Sequence, residues 1–332
     1  MRRNGFRSIH GIYSFYRLAD DRSTHPLVFR LAILNEKRGR VIDMFEPFFL
    51  LQVVLSFVIG GAVIGTMTVL AQYLPQKTAG IILSLPITIG ISLFFLWFVS
   101  PQDEFISSFD IIPMGVSIVM SFLVIYIYVA QLFKKRSISI FVSLSSIYVS
   151  WLLFVISIVS LGKPTLLSSF LAFFFITACS QWALFRLPSE PDQGHSHTPS
   201  AKEIMVRMVL AGSVVALSLL TAKAASPFWG IFVGVTLPSV YPSYLAMLHY
   251  AHGPGFLIKV LRLMPTGSTT YIVYAFVVRE MYPLLGPWMG TLIAYASTVV
   301  YMYLLSKITI AVGHAFHTSG SPILKAVQKN RS

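Results

Sequence analysis

Charged side chains are scarce in this sequence of 332 residues, and acidic ones are the scarcest. Asp, Glu, Lys and Arg together make up 11% of the chain, whereas a typical soluble domain holds about 25%. This shortage excludes most soluble folds. Hydrophobic residues make up 55% of the chain, and the mean hydropathy is +0.74. We therefore predict an all-α polytopic membrane protein.

Cysteine is nearly absent, since Cys179 is the only one. A single cysteine excludes an intramolecular disulfide and a cysteine metal cluster. The sequence also lacks the paired-histidine metalloprotease motif, a Walker-type phosphate loop and a Ser-His-Asp constellation. We therefore expect neither an enzyme nor a bound metal or cofactor. His195 and His197, which follow Asp192 in a polar stretch, are interpreted as solvated loop residues.

Long apolar runs are what the sequence has in abundance. A helix that crosses a bilayer needs about 20 mostly apolar residues, and this criterion predicts about nine transmembrane helices. The predicted spans are 48–71, 78–100, 112–133, 138–160, 165–185, 205–224, 230–250, 265–283 and 286–306. The sequence thus predicts a multi-pass protein of the cell membrane.

Basic residues outnumber acidic ones by 25 to 12. Most of them lie between or beyond the apolar spans, where basic residues signal topology and contact lipid headgroups, so we expect no nucleic-acid partner. Residues 1–43 are interpreted as a basic amphipathic arm that binds anionic lipid headgroups. Basic residues are almost balanced between the two predicted sides, and their concentration in this arm favours a cytoplasmic N-terminus.

An internal duplication appears when the chain is shifted by 152 residues without a gap, which places residues 58–153 over 210–305. Three of the four prolines in the first window then meet prolines of the second window. Random placement would give about 0.3 coincidences, which is the background for such a repeat. The paired positions include Gly60 with Gly212, Pro75 with Pro227, Leu85-Pro86 with Leu237-Pro238, Pro113 with Pro265, and Gly115 with Gly267.

Each predicted repeat holds four spans, and one further span links them. Four crossings return the chain to its starting side and a fifth moves it across, so we predict two inverted four-helix repeats joined by a linking helix. Inverted repeats are a recurring construction of secondary transporters. The predicted segments are an arm 1–43, repeat one 44–161, a linking helix 162–186, a polar loop 187–203, repeat two 204–307 and a basic tail 308–332.

The second repeat resembles the small four-helix GlpM-like membrane proteins. The resemblance covers about a hundred residues and depends on a Pro-broken helix at Leu237-Pro238-Ser239, on Leu248-His249-Tyr250, on Leu261-Arg262 and on Trp288-Met289-Gly290-Thr291. The first repeat matches less well, with Leu96-Trp97 in place of Leu248-His249. The resemblance implies a tandem fusion of two such units. It implies an architecture and not a substrate.

Two repeated prolines mark the first group of candidate substrate-binding residues. A proline inside a span frees a backbone carbonyl, and a neighbouring hydroxyl can satisfy that carbonyl or bind a ligand. The alternative, a kink that serves only packing, stays open. These candidates are Ser84, Pro86, Thr236, Pro238 and Tyr241.

A second group of candidates lies where the third helix of each repeat begins. Proline followed by small hydroxyl residues predicts a helix N-terminus whose free N–H groups can hold an anion. Close helix packing through small residues is the alternative. These candidates are Ser117, Ser268 and Thr269, with Arg262 steering an anion towards them.

Ionisable groups within membrane spans are candidates for coupling residues. Asp110 lies three residues before Pro113, at the position that Arg262 occupies before Pro265. Glu280 lies near the end of its span, beside Arg279. Asp110 and Glu280 are therefore the coupling candidates, and a wet loop or an interfacial ion pair is the alternative for each.

Together these features favour a secondary transporter or flippase that moves a small anionic solute or a lipid headgroup by alternating access. The alternative is a non-transporting membrane scaffold or an assembly subunit of a larger complex. The partners expected are the lipid bilayer and a small-molecule or lipid substrate. Association into a homo-oligomer is compatible with the sequence.

Overall fold

The computed structural model describes residues 46–73, 85–188, 200–238, 240–262 and 264–318. The chain divides into a unit of residues 1–50, described from residue 46 onwards, and a unit of residues 51–332 that contains all the contacts discussed below. Several predicted features lie outside the described residues: the arm 1–43, residues 189–199 of the polar loop, the tail from residue 319, candidate Ser84 and the side chain of Tyr241.

All regular elements in the described ranges are helices, which confirms the predicted all-α fold for this part of the chain. A short 3-10 turn, Ser108–Ile111, joins the third and fourth helices. The helices are α1 (Pro47–Tyr73), α2 (Ile87–Val99), α3 (Gln102–Ser107), α4 (Ile112–Ala130), α5 (Arg136–Leu161), α6 (Leu166–Arg186), α7 (Ala201–Ala224), α8 (Pro227–Thr236), α9 (Val240–His252), α10 (Pro254–Leu261), α11 (Met264–Gly267) and α12 (Thr269–Thr318).

Six helical segments among the described residues are long and apolar enough to cross a membrane. Helices α2 and α8 are apolar but too short to cross alone, with 13 and 10 residues. The chain therefore carries the helices of a membrane protein. The six segments are Pro47–Leu70, Gln102–Ala130, Arg136–Leu161, Leu166–Arg186, Ala201–Ala224 and Met264–Lys307.

Helix α12 is bent into a hairpin at Gly286. This glycine has φ 75° and ψ 172°, a backbone conformation that other residues rarely adopt, and Pro287 follows it. The hydroxyl groups of Tyr282 and Thr291 lie 2.6 Å apart, although nine residues of a straight helix would span about 13 Å. Further along, Tyr301 donates to Thr269 Oγ1 at 2.9 Å. Residues 269–285 therefore form a first arm that packs antiparallel to a second arm, 287–318.

Helices α8 and α9 together form one interrupted rod beside α7. Ser218 of α7 donates to the carbonyl oxygen of Gly230 in α8 at 2.7 Å. Nearer the start of α7, the Arg207 guanidinium lies 4.6 Å from the ring of Tyr244 in α9. The contact of α8 thus falls late in α7, at Ser218, and the contact of α9 falls early in α7, at Arg207. The interrupted rod therefore runs antiparallel to α7 along its whole length.

Helices α1 and α7 cross at two glycines that share the offset of 152 residues. A β-carbon on Gly60 would lie 3.6 Å from Gly212 Cα, and one on Gly212 would meet the carbonyl oxygen of Phe57. A β-carbon on Gly61 would lie 2.7 Å from the carbonyl oxygen of Met208. Later residues of α1 thus contact earlier residues of α7, so the two helices are antiparallel.

The core surrounds α4, while α5 and α6 present large apolar side chains outward. Tyr126 and Leu123 of α4 are fully enclosed. Leu153 and Ile156 of α5 and Phe175 of α6 are exposed, as expected for side chains that face lipid. The candidate site is built on the enclosed side of the molecule.

Candidate functional site

The break between α8 and α9 is buried. Pro238 has no backbone N–H to continue the helix, and its ring disfavours the helical conformation for the residue before it. Leu237 is accordingly extended, with ψ 119°, and α8 ends at Thr236. The Thr236 hydroxyl donates to the carbonyl oxygen of Phe232 at 2.8 Å and accepts from Trp151 Nε1 at 3.1 Å. This predicted candidate is therefore fully enclosed and doubly hydrogen-bonded.

Helix α2 begins directly after Pro86, which is buried as well. The proline carbonyl accepts from the N–H of Gly90 at 2.8 Å, so the helical hydrogen bonds start at the proline itself. Pro86 therefore lies at the start of α2, and Pro238 lies between α8 and α9.

The first turns of α2 pack against the last turns of α8. A β-carbon on Gly234 would lie 3.0 Å from Ser218 Oγ and 3.2 Å from Ser92 Oγ, so the missing side chain lets three helices approach closely. A β-carbon on Gly230 would lie 3.0 Å from a methyl group of Leu96. Advancing along α8 therefore means going back along α2. Continued for one more turn, this antiparallel packing brings the start of α2 beside the end of α8.

Two tyrosines of the α12 hairpin close this region from the other side. A β-carbon on Gly90 would collide with the hydroxyl of Tyr295 and lie 2.7 Å from that of Tyr274. The two tyrosine rings are 4.7 Å apart between centroids. We call Ser92, Ser218, Thr236, Tyr274 and Tyr295 the central hydroxyl cluster.

Two members of the central hydroxyl cluster have buried hydroxyl groups that form no hydrogen bond of normal geometry among the described residues. They are Ser92, which is 2% exposed, and Tyr274, which is fully enclosed. The hydroxyl groups of Tyr282 and Tyr295 lie near that of Tyr274. Leaving a buried hydroxyl unpaired costs about 1–3 kcal/mol. Buried hydroxyl groups without a hydrogen bond are groups that a polar ligand could engage.

Candidate Ser117 lies next to this cluster. Its hydroxyl is fully buried and donates to the carbonyl oxygen of Met114 at 2.8 Å. Two residues earlier, a β-carbon on Gly115 would lie 3.0 Å from the methyl group of Thr236. The start of α4 and the end of α8 are therefore in direct contact, which the shared proline pattern did not by itself predict.

The corresponding helix start in the second repeat is occupied by a side chain from α6. Gln181 Oε1 accepts from the N–H of Thr266 at 3.2 Å and from its hydroxyl at 2.8 Å. Candidate Ser268 donates to Pro265 O at 2.6 Å, and candidate Thr269 donates to Thr266 O at 2.8 Å. Gln181 thus accepts a hydrogen bond from the Thr266 N–H, a group that the sequence analysis predicted to be available for an anion.

Candidate Arg262 is attached to the end of α6. Its Nη2 donates to the carbonyl oxygen of Leu187 at 2.5 Å, and its own carbonyl oxygen accepts from Gln181 Nε2 at the same distance. The Nε group has no partner among the described residues. Arg262 therefore retains one buried donor for a further acceptor.

The coupling candidates lie at the other end of the hairpin's first arm. Asp110 Oδ1 is 4.0 Å from Arg279 Nη1, and Glu280 Oε1 is 4.0 Å from Arg279 Nε. The Glu280 side chain is 67% exposed. Residues 269 and 279 are about 15 Å apart along the first arm, and Arg262 lies before residue 269, so Asp110 and Arg262 belong to opposite ends of that arm.

The structure thus brings Thr236, Ser117 and the two prolines towards one enclosed region and leaves Arg262, Asp110 and Glu280 at the ends. Sequence interpretation missed Ser92, Tyr274 and Tyr295. Ser218 had a signal, since it pairs with Thr66 in the repeat. No group of three His, Cys, Asp or Glu side chains among the described residues could hold a metal ion.

No protein-family profile, curated protein or solved structure matches this chain.

Proposed function

We propose that this chain is a secondary transporter or flippase that moves a small anionic solute or a lipid headgroup by alternating access between two inverted repeats. The observation that carries the proposal is the antiparallel crossing of α1 and α7 at Gly60 and Gly212. The two glycines are equivalent under the offset of 152 residues. A pseudo-two-fold axis in the membrane plane brings equivalent residues of antiparallel helices together in this way.

The helix boundaries support the same symmetry. Moved back by 152 residues, α7 covers 49–72, close to α1 at Pro47–Tyr73. Likewise α9 covers 88–100, close to α2 at Ile87–Val99, and α11 begins at 112, where α4 begins. The break at Gly286 falls on position 134, in the turn between α4 and α5.

Helix directions support an odd number of crossings. Helix α8 runs antiparallel to α5, because Thr236 bonds Trp151 while Phe232 stacks near Phe154. The linking helix α6 runs antiparallel to the first hairpin arm, because Gln181 bonds Thr266 whereas Phe170 contacts Phe276. We propose that the α8–α9 rod makes one crossing, that α2 belongs to another, and that the two arms of α12 cross separately. This assignment gives nine crossings of alternating direction. Each helix of repeat one is then antiparallel to its equivalent in repeat two.

The position of the breaks supports a transport site between the repeats. Pro86 and Pro238 are both buried, not turned outward towards lipid. Helix α2 belongs to repeat one, whereas α8 and the hairpin belong to repeat two, so the central hydroxyl cluster lies where the two repeats meet. Sites of inverted-repeat transporters lie at such an interface, on discontinuous helices. We propose that a substrate engages Ser92 and Tyr274 there.

Positive side chains support an anionic substrate. Arg262 keeps an unpaired Nε donor at one end of the first arm, and Asp110 with Arg279 forms a charge pair at the other. We propose Arg262 as the residue that attracts the anion and Asp110, with Glu280, as coupling residues. The two repeats are proposed to be fused GlpM-like units in the cell membrane, with the N-terminus in the cytoplasm.

Transport itself is tested by reconstituting the purified chain in liposomes. One assay follows fluorescent phosphatidylglycerol by dithionite quenching, and the other follows uptake of a panel of radiolabelled small anions. We expect protein-dependent movement in one assay, slowed about tenfold by Arg262→Gln and by Asp110→Asn because each loses a charge-assisted contact. Glu104→Gln, an exposed acid near Asp110, should leave the rate unchanged. Protein that is folded but inactive in both assays would favour the scaffold alternative.

The inverted arrangement is tested with two matched cysteines. Leu132 and Leu284 differ by 152 residues and are 74% and 73% exposed. In a Cys179→Ser background, Leu132→Cys and Leu284→Cys should react with a membrane-impermeant maleimide from opposite sides of the membrane. With the N-terminus in the cytoplasm, Leu132→Cys is the one labelled in intact cells. Labelling of both from the same side would contradict the inverted repeat.

A further inference from the structure

Arg207 is a buried cation near the beginning of α7. Only 7% of its surface is exposed, although it lies within two turns of the helix start at Ala201. Burying a guanidinium group is costly unless oxygen acceptors surround it. A buried arginine in a membrane protein is therefore a functional candidate that needs an explanation.

The protein itself supplies weak partners for Arg207. The guanidinium lies over the Tyr244 ring at 4.6 Å, and Nη2 is 3.9 Å from the sulfur of Met247. Thioether sulfur is a poor acceptor, and no other hydrogen bond of this side chain is found among the described residues. Glu203, one turn earlier, directs its carboxylate to the N–H of Ser200 at 2.6 Å. Glu203 still interacts electrostatically with Arg207, but no oxygen acceptor of a guanidinium hydrogen bond is found for Arg207 in the part of the chain that the structure describes.

A cleft of about 140 Å³ opens beside this side chain. Its volume corresponds to about five water molecules at about 30 Å³ each, which is enough for a phosphate group. The cleft is lined by Lys202, Glu203, Val206, Arg207, Ser243 and Met247. Lys202 and Arg207 leave the lining with a net positive charge in spite of the Glu203 carboxylate, and Val206 and Met247 are apolar, which suits an anionic head attached to an apolar body.

Other cations lie at the same end of the molecule. Arg136 donates to the carbonyl oxygen of Tyr250, at the end of α9, and Arg262 donates to Leu187 at the end of α6. The exposed Arg186 stacks on Trp182 at 4.0 Å. This end therefore carries a cluster of positive charges, which attracts anions.

We infer that the cleft beside Arg207 binds an anionic phosphate group, as carried by an anionic phospholipid or by free phosphate. Arginine forms paired hydrogen bonds with phosphate oxygens, which would satisfy the donors that the protein leaves open. Lys202 adds a second positive charge at the cleft mouth. This site is separate from the central hydroxyl cluster, and it would exist equally in a transporter or in a scaffold.

The test measures dissociation constants of the purified, detergent-solubilised full chain for short-chain phosphatidylglycerol, short-chain phosphatidylcholine and inorganic phosphate. We expect phosphatidylglycerol to bind more tightly than phosphatidylcholine. Arg207→Gln should weaken that binding about tenfold or more, because charge-assisted hydrogen bonds are lost, whereas Arg186→Gln should not change it. Displacement of phosphatidylglycerol by inorganic phosphate would identify a site for the free anion, and no displacement a site for the lipid.

Equal affinity of the wild type and folded Arg207→Gln, or equal affinity for the two lipids, would overturn the inference. The exposed Lys202 offers a second variant that lies outside the core. Lys202→Gln should keep the wild-type melting temperature and weaken phosphatidylglycerol binding about threefold, as expected for one solvated charge. If Arg207→Gln does not fold, unchanged binding by Lys202→Gln overturns the inference.

Discussion

Replacing Gly212 by alanine is expected to destabilise the protein by about 1–3 kcal/mol, the usual cost of inserting volume into a packed core. The added β-carbon would fall on the carbonyl oxygen of Phe57 and lie 3.0 Å from a carbon of its ring. A backbone oxygen in α1 cannot rotate away as a side chain can. Helices α1 and α7 would therefore have to separate at their crossing, which lowers the melting temperature.

Two other glycines provide a graded comparison. At Gly60 the new β-carbon would meet a methyl group of Val215 at 3.0 Å, a side chain that can adjust, so Gly60→Ala should be milder. At Gly267 the β-carbon would meet no atom within 4 Å, and alanine favours a helix over glycine by about 1 kcal/mol. Gly267→Ala should therefore be neutral or stabilising.

The measurement is the melting temperature of each variant in detergent, followed by fluorescence-detected size-exclusion chromatography. The expected order of stability is Gly267→Ala, then Gly60→Ala, then Gly212→Ala. Equal melting temperatures for Gly212→Ala and Gly267→Ala would show that the crossing is not tightly packed. They would also remove the contact on which the pseudo-two-fold axis depends.

Hydrophobic run length was sufficient to predict α1, α5, α6 and α7 to within a few residues. Such runs are determined locally, because each segment must be apolar along its whole length to cross a bilayer. The repeated prolines likewise predicted where α8 ends, since Pro238 acts on its own neighbours. These features need no knowledge of which helices are in contact.

The roles of Arg207 and Gln181 could not be predicted in this way. An arginine near a helix start usually signals an interfacial charge, and only the packing of α9 across it, with Tyr244 and Met247, buries it. Gln181 caps a helix start that is 85 residues later in the chain. Both roles depend on tertiary contacts between helices that no sequence period records.

The members of the central hydroxyl cluster could not be predicted from the sequence either. Serine and tyrosine occur throughout the predicted spans, and nothing in the pattern distinguishes Ser92 or Tyr274 from the others. Their distinction is a combination of full burial and the lack of a hydrogen bond of normal geometry. That combination is costly for the folded state, which leads to a prediction in which stability and activity move in opposite directions.

Tyr274→Phe should raise the melting temperature and abolish transport. Removing a buried hydroxyl that lacks a partner relieves a desolvation penalty of about 1–3 kcal/mol while the ring packing is kept. Retaining such a group in spite of its cost is expected where function requires it. If the Tyr274 hydroxyl binds substrate between the repeats, the phenylalanine variant is more stable and inactive.

Tyr282→Phe is the matched control, because it removes the same atom from a neighbouring tyrosine that is paired. The Tyr282 hydroxyl bonds Thr291 at 2.6 Å across the hairpin, so its removal should lower stability by about 0.5–1.5 kcal/mol. Melting temperatures and liposome transport rates of both variants, with Ser92→Ala as a second unpaired position, separate the two effects. If Tyr274→Phe were destabilising like Tyr282→Phe, the Tyr274 hydroxyl would have a structural partner. If it were stabilised and fully active, the central hydroxyl cluster would lie outside the transport path, because the unpaired hydroxyl would then serve neither folding nor substrate.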